Sequence, residues 1–307
     1  MTYEAHIVRS LILRKPIELE HIPETLIEHA KKNKVLYALG LYDSRIRKTE
    51  AWIELRKRRD EQIKSIIEVM ELAESLGIRV LVVKTLKPFD YVPDDIDVLI
   101  IDDNALKTLV NALLNREYFI RKKGTPEITL RRITNNTFVD LDIHAKMGAG
   151  PYEYIDKYYL WNRRIYRKLN NIDVATPNDV DELLITIAHA VLKEFTITLA
   201  DIMHIASLNK DTVNEAMLQS RYIGLSKSLK YILSLAYRTL ALSLKIHKRH
   251  DISTLKYPHK IPIPVIISTY SENLEYRLKV HGLKPIKEMF KAPSSKGIAT
   301  LLRYVGL

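Results

Sequence analysis

The spacing of apolar residues changes twice along the chain, and this limits the possible folds more than any other feature. Up to residue 76 apolar residues recur every three or four positions, as in IKSIIEVMELAESLGI, where the pattern stops at Gly77. From Ile78 to His144 most apolar stretches are short and strand-like, and from Ala175 the helical spacing returns. The sequence therefore predicts an α+β protein with a small mixed sheet core. The predicted N-terminal helical segment, sheet core and C-terminal helical bundle span residues 1–76, 77–174 and 175–307.

Individual elements are also predicted. Five strand-like stretches are IRVLVVKT, DIDVLII, YFIRKK, EITLRRI and TFVDLDIH, and Asn135 and Asn136 predict a hairpin turn between the last two. The stretch DDNALKTLVNALLN predicts a helix capped by Asp102 or Asp103. Other helices are predicted at 24–39, at 44–76 and in the tail KAPSSKGIATLLRYVGL.

Composition excludes several kinds of site. The chain has no cysteine, so disulfides, thiolate nucleophiles and zinc–sulfur sites are excluded, and oxygen or imidazole must bind any metal. The net charge of +11 favours a polyanionic partner, with a basic solvated surface as an equal alternative. Charges interrupt every apolar run near the N terminus, which predicts a cytoplasmic protein without a membrane span. The few glycines and the many Ile, Lys, Arg and Glu residues are typical of thermophile proteins.

Carboxylates are concentrated in two of the predicted strands. Asp95 and Asp97 share one face of the first, and Asp140, Asp142 and His144 share one face of the other, because side chains alternate along a strand. If the two strands are neighbours, three or four carboxylates converge. Such a group is costly unless it is fully hydrated or binds a cation. Because Mg²⁺ prefers oxygen ligands and bridges phosphates, the pattern predicts a site for phosphoryl or nucleotidyl transfer.

These motifs resemble those of the nucleotidyltransferase superfamily with the polymerase-beta-type fold. In the uncharacterised nucleotidyltransferase family, LKG precedes DIDLLV, and a later strand contains DLH. The stretches VVKT, DIDVLI and DIH occupy these places here, and the similarity continues through AESLGIRV and LLITIAHAVLKE. The resemblance implies a nucleotidyltransferase core, Mg²⁺ or Mn²⁺ as cofactor, an NTP as donor and an acceptor hydroxyl, for which RNA is one candidate.

The resemblance also implies which residues bind the metal. Asp95, Asp97 and Asp142 would be the catalytic metal ligands, and Asp142 would help to deprotonate the acceptor. Asp140 is the alternative to Asp142. In-line displacement at phosphorus depends mainly on positioning and charge neutralisation, which agrees with this assignment.

The phosphate-binding residues depart from the family pattern. The family usually has Gly-Gly or Gly-Ser after the first strand, whereas this chain has Lys84 and Thr85. We expect Lys84, Thr85 and the nearby Lys87 to bind the phosphates through ammonium and hydroxyl groups. His144 is expected to orient a carboxylate beside them.

Other functions stay open at this level. A non-catalytic nucleic-acid-binding or adaptor protein on a decayed transferase core is one alternative, motivated by Lys84-Thr85 and by the net charge. A transferase acting on a small molecule or a protein is another. His189, Asp201 and His204 lie in helical stretches and are predicted to be core residues.

The helix predicted at 44–76 carries a basic stripe in its first turns. At helical spacing the core-facing side continues backwards through Arg59, Arg56, Trp52, Lys48 and Arg45. Either this stripe faces a cleft and binds a polyanionic acceptor, or a kink near residue 58 returns it to solvent. Trp52 is available for stacking on a base or for packing under the arginine side chains.

Overall fold

The N-terminal part of the chain is helical. The computed structural model describes residues 2–124, 127–149, 152–244, 256–283 and 285. The predicted helices at 24–39 and 44–76 are each divided in two, and the helix predicted in the tail lies outside the described residues. The second division lies at Lys48 and Thr49, because the Thr49 side chain accepts a hydrogen bond from the Trp52 backbone and begins a new helix. The five helices are α1 (Tyr3–Leu13), α2 (Glu24–Lys32), α3 (Leu36–Tyr42), α4 (Ser44–Arg47) and α5 (Glu50–Ser75).

A five-stranded mixed sheet lies at the centre, which confirms the predicted fold class. Its strands are β1 (Val80–Val83), β2 (Ile96–Ile100), β3 (Phe119–Lys123), β4 (Glu127–Thr134) and β5 (Thr137–His144), with α6 (Leu106–Leu114) between β2 and β3. The spatial order is β1-β2-β5-β4-β3. Strands β2 and β5 run parallel, and the other neighbours run antiparallel. Asn135 and Asn136 form the predicted hairpin turn, both with positive φ.

The two faces of the sheet are covered by different helices. Val82, Val98 and Leu141 point to one face and pack in a hydrophobic cluster with Val69 of α5 and Leu109 of α6. The opposite face of β1 and β2 packs in the cluster that contains the N-terminal and C-terminal helices. The acidic side chains of β2 and β5 lie on this second face, because they alternate with the apolar residues of the first. The carboxylates therefore lie on the face next to the N-terminal and C-terminal helices, whose residues line the cleft beside them.

Short strands and helices follow the central sheet. The sequence did not predict the two hairpins that come first, because their strands are short. These elements are β6 (Met147–Ala149), β7 (Tyr152–Ile155), α7 (Lys157–Asn162), β8 (Ile165–Leu169) and β9 (Ile172–Thr176). The remaining elements are α8 (Asp179–His189) with a π-helical turn at Ala190–Glu194, β10 (Thr196–Ile197), α9 (Leu199–Ser207), α10 (Lys210–Tyr222), α11 (Ser226–Ser243), β11 (His259–Lys260) and α12 (Ile263–His281).

The N-terminal and C-terminal helices share one core. Val8 of α1 and Ile232 of α11 belong to the same buried cluster. Asn33 is fully buried; its side chain donates to the Tyr257 carbonyl at 3.2 Å and accepts from the Leu199 backbone at 3.3 Å. The outer two predicted segments thus pack together, and the three-part division of the chain stays a prediction. In the part of the chain described above, none of the helices has the length and hydropathy needed to cross a membrane.

The predicted cap of α6 is wrong. Helix α6 begins after Ala105 without a side-chain cap. Asp102 instead accepts hydrogen bonds from the backbone and guanidinium of Arg79, the backbone one at 2.6 Å, and so fastens the start of β1 to the end of β2. Asp103 binds Lys157 at 2.7 Å. Both carboxylates are held by cations of other elements, which a local cap signal cannot reveal.

The basic stripe does not form a stacking cleft. Trp52 is 4% exposed; its ring stacks on Tyr37, and its indole N–H donates to the Tyr37 carbonyl at 2.9 Å. Arg45 lies in the separate helix α4, and its guanidinium donates to backbone carbonyls of the loop between α1 and α2. Lys48 and Arg56 are exposed, and α5 is continuous. Of the two roles left open for Trp52, stacking on a base is therefore excluded, because the ring packs inside the N-terminal helices.

Candidate functional site

The acidic residues of β2 and β5 meet at the centre of the sheet. Asp97 lies opposite Asp142 in the parallel pairing, so both side chains point to the same face. His144 shares that face two residues later. Ligand atoms of these three buried side chains lie within 4.8 Å of one another. Asp97, Asp142 and His144 thus form a group that could hold a metal ion.

Asp97 has two partners on a single oxygen atom. Its Oδ1 lies 2.7 Å from the Lys84 ammonium nitrogen and 2.7 Å from His144 Nε2. Burial alone would raise the pKa of Asp97, but Lys84 and His144 hold it well below its usual value. Asp97 is therefore ionised at neutral pH.

Asp142 is the less satisfied of the paired carboxylates. It is 8% exposed, and its Oδ1 has no hydrogen-bond partner among the described residues. Burial raises the pKa of Asp142, and the charge of Asp97 adds to this effect. A buried acceptor without a partner costs about 1–3 kcal/mol, and a bound cation would supply that partner. Two carboxylates and an imidazole suit a divalent ion, so these residues fit a metal.

Asp95 lies in the same cleft but outside this group of three. Burial, followed by the charge of Asp97, raises the pKa of Asp95 to about 7. The structure thus brings Asp95 near the other two predicted catalytic residues, Asp97 and Asp142. The protonation state of Asp95 differs from that of Asp97. Near neutral pH Asp97 is charged, while Asp95 is close to half protonated.

We expect Asp95→Asn to stabilise the metal-free protein at pH 8. The pKa of Asp95 in the folded protein is about 7, above the ordinary value of 3.8, so ionisation opposes folding as pH rises between these values. The advantage of the variant should be small at pH 4 and complete above pH 7, with an upper limit of about 4 kcal/mol. Thermal unfolding in EDTA across this range measures it. Asp90→Asn, at an exposed aspartate, is the matched control. If the melting temperatures of Asp95→Asn and wild type depend on pH in the same way, the expectation is contradicted.

Asp140, the alternative metal ligand, has other partners. It accepts hydrogen bonds from Arg131 at 2.6 and 2.8 Å and from Arg121. Two guanidinium groups therefore neutralise it. Asp142, which lacks such a partner on Oδ1, is the better placed third carboxylate.

The turn after β1 has the backbone shape that glycine favours. Lys84 has φ +57°, in the left-handed region. This costs a non-glycine residue about 1–2 kcal/mol. The buried carboxylate of Glu182 accepts the Lys84 backbone N–H. Burial alone would lower the pKa of the Lys84 ammonium, but Asp97 raises it above its usual value, so the side chain stays charged. Lys84 thus has the backbone conformation that glycine would adopt, and it differs from glycine only in its side chain. The ammonium group of that side chain binds Oδ1 of Asp97.

Thr85 and Lys87 were expected to bind phosphate, but both side chains already have partners within the protein. The Thr85 hydroxyl donates to the Val83 carbonyl and accepts from the Asp97 backbone, each at 3.0 Å. It therefore positions Asp97 and has no second hydrogen for a phosphate. Lys87 lies on the cleft wall, where its Nζ is 3.3 Å from Thr186 Oγ1 and 3.8 Å from Asp201. Burial lowers the pKa of Lys87.

A cleft of about 460 Å³ opens beside the carboxylates. A volume of this size is typical of sites for small ligands such as a nucleotide. Five lysines and several carboxylates line it together. The lysines are Lys32, Lys34, Lys84, Lys87 and Lys193.

Several cleft residues were not identified from the sequence. Lys34 binds Asp94 at 2.8 Å, and Lys193 binds Glu127 at 3.1 Å. These pairs join helical segments to the loop before β2 and to β4, so no local pattern indicates them.

Two of the three residues predicted to lie in the core line the cleft instead. They are His189 and Asp201, and Asp201 also completes the capping box of α9. His204 is fully buried, as predicted.

Comparison with known proteins adds little to this geometry. No family model matches the chain, and no curated protein does. Among solved structures, the chain is similar to a STING-associated CdnE c-di-GMP synthase from Capnocytophaga granulosa, at 15% identity, over 91% of this chain and 97% of that chain, with a TM-score of 0.27. A TM-score of this size carries no argument about function. The resemblance to nucleotidyltransferases therefore depends on the sequence motifs alone.

Proposed function

We propose that the protein is a metal-dependent nucleotidyltransferase that moves a nucleoside monophosphate from an NTP to an acceptor hydroxyl. The observation that carries the proposal is the buried, unpartnered oxygen of Asp142 opposite Asp97, beside a cleft lined with lysines. A structural ion pair would satisfy both carboxylates. Here one carboxylate oxygen is left for a cation, and the surrounding ammonium groups suit a polyphosphate.

The residues of the site have separate tasks in this proposal. Asp97 and Asp142 hold Mg²⁺ or Mn²⁺, with Asp95 as a further ligand once it is deprotonated, and His144 orients Asp97. A metal held by these residues would supply charge neutralisation for the transferring phosphate. Asp142 would also accept the proton of the acceptor hydroxyl, because its carboxylate lines the cleft where that hydroxyl would bind. The hydroxyl oxygen then bonds to the α-phosphorus as pyrophosphate leaves.

The cleft lysines bind the triphosphate in this proposal. Lys34 and Lys193 lie on opposite helical segments, and their side chains are 35% and 23% exposed. Both can therefore reach a ligand in the cleft while paired with a carboxylate. Ammonium groups bind phosphate oxygens by charge-assisted hydrogen bonds, which need no glycine-rich loop.

One observation favours a second function. The Lys84 ammonium lies 2.7 Å from Asp97 Oδ1, where it already neutralises that carboxylate. A core in which lysine replaces the metal would bind a nucleotide without transferring it. The second candidate is thus a nucleotide-binding adaptor without transferase activity.

Two measurements on the same sample test both candidates. Each α-labelled NTP is incubated with the protein, Mg²⁺ or Mn²⁺, and RNA, protein or small-molecule acceptors, and label transfer is followed. Thermal unfolding is measured with the same NTPs, since a ligand at a hundredfold excess over its Kd stabilises by about 2.7 kcal/mol. Transfer supports the first candidate, and stabilisation without transfer supports the second. Folded protein that shows neither contradicts both.

A further inference from the structure

The sheet face that carries the acidic group continues beyond the cleft. Along β5, Asp142, Asp140 and Phe138 point to one side, because residues two apart share a face. The register extends this side onto β4 and β3, since Arg131 lies opposite Asp140 and Phe119 lies opposite Arg131. Phe138 is four residues from Asp142, which is about 13 Å along a strand. The face is thus continuous with the candidate active site.

This outer part of the face exposes aromatic rings. Phe119 is 45% exposed, and Phe138 is 43% exposed. The described helices cover the face at β1 and β2, but they leave these two rings accessible. Large apolar side chains exposed together on one sheet face mark an interaction surface.

Cations accompany the rings. The Arg131 guanidinium lies 4.2 Å from the centre of the Phe138 ring. The Arg121 side chain is 53% exposed, and that of Lys122 is 47% exposed. Lys122 lies opposite Thr129, on the same face, and Arg121 reaches Asp140 there. Asp140 and Glu127 offset two of these charges, which leaves the surface weakly basic.

We propose that this surface binds a single-stranded polynucleotide whose terminal hydroxyl is the acceptor in the cleft. We name the face bearing Phe119, Phe138, Arg121, Lys122 and Arg131 the aromatic platform. Bases stack on the two rings, and phosphates contact the exposed cations, as in proteins that bind single strands on a sheet. The acceptor role depends on the proposed transferase function; the binding role does not.

Charge and continuity select this occupant over a protein partner. The chain has a net charge of +11. The exposed apolar residues of this face are Phe119, Phe138 and Ile133, which lies opposite Phe138. Arg131 lies opposite Phe119 and over the Phe138 ring, so a cation separates the two rings. Protein interfaces need an apolar centre from which water is excluded. A polynucleotide, in contrast, uses rings and cations in alternation, and it has a terminal hydroxyl to place near Asp142.

Binding to labelled single strands tests the platform without chemistry. Fluorescence anisotropy is measured with single-stranded RNA and DNA 12-mers in EDTA, without NTP. Phe119→Ala and Phe138→Ala should each weaken binding about tenfold. Phe119→Tyr should retain binding, because the tyrosine ring can also stack. Tyr222→Ala, at a 70% exposed aromatic residue of α10, is the matched control and should bind as wild type does. Lys122→Gln should flatten the plot of log affinity against log salt by about 0.7.

The outcomes separate this inference from the proposed function. Absence of binding to every single strand, or equal binding by the phenylalanine variants and wild type, would overturn the platform. A folded protein that transfers label to a small molecule or protein but binds no single strand would keep the transferase and reject the platform. Binding that depends on Phe119 and Phe138, without transfer from any NTP, would keep the surface and reject both the transferase and the acceptor role.

Discussion

Asp142→Asn is expected to reduce nucleotidyl transfer at least about a thousandfold, which corresponds to about 4 kcal/mol in the activation free energy. The amide removes the negative charge needed for the metal and the base needed for the acceptor proton. Stability in EDTA should stay unchanged or rise, since burial and the charge of Asp97 disfavour ionised Asp142. The opposite directions of activity and stability would distinguish a functional carboxylate from a structural one.

Initial rates with α-labelled NTP at saturating metal measure the loss of transfer activity in Asp142→Asn. Thermal unfolding in EDTA measures its stability. Asp173→Asn is the matched control, because Asp173 is half exposed and pairs only with the exposed Lys168 among the described contacts. It should leave both values unchanged. Retained transfer by Asp142→Asn would remove Asp142 from the catalytic group.

The second large effect is expected for Lys84→Met. This change keeps side-chain length but removes the partner of a buried carboxylate, which typically costs 3–5 kcal/mol. Asp97 would then be left with His144 alone beside two other carboxylates. A divalent cation can replace the lost charge, so Mg²⁺ or Mn²⁺ should stabilise the variant more than the wild type. Urea unfolding with EDTA and with each metal measures both effects.

Lys157→Met is the control for this experiment. Lys157 is also buried, but its partner Asp103 has a 72% exposed side chain, so its loss leaves a solvated charge. The expected cost of the control is below about 1 kcal/mol. Equal losses in the two variants, or no recovery of Lys84→Met by metal, would contradict a cation site at Asp97.

Local sequence patterns were sufficient to predict the strands of the central sheet. They also predicted which acidic side chains point to the same face of a strand. Alternation along a strand is a property of the backbone, so Asp97 and Asp142 could be assigned to faces without knowledge of neighbours. The hairpin at Asn135 and Asn136 was equally predictable, since asparagine tolerates positive φ.

Residue partners could not be predicted in the same way. The family resemblance favoured Asp142 over Asp140, but the sequence could not show that arginines of β3 and β4 bind only Asp140. Trp52 lies on the predicted stripe, but its ring packs on Tyr37 from another helix. In each case the deciding contact joins side chains of two different elements, 9 to 19 residues apart in the chain, and it depends on packing that periodicity does not encode.

The core shared by α1 and α11 has a consequence for the order in which the chain can fold. The end of α1 at Leu13 and the start of α11 at Ser226 are 213 residues apart. At a synthesis rate of about 5–20 residues per second, roughly 10–40 s pass between the synthesis of α1 and that of α11. During that interval α3 can already pack on the apolar side of α1, which carries Ile7, Val8 and Leu11, but the part of this side that α11 covers stays incomplete. Helix α1 thus reaches its final packing long after it has been synthesised.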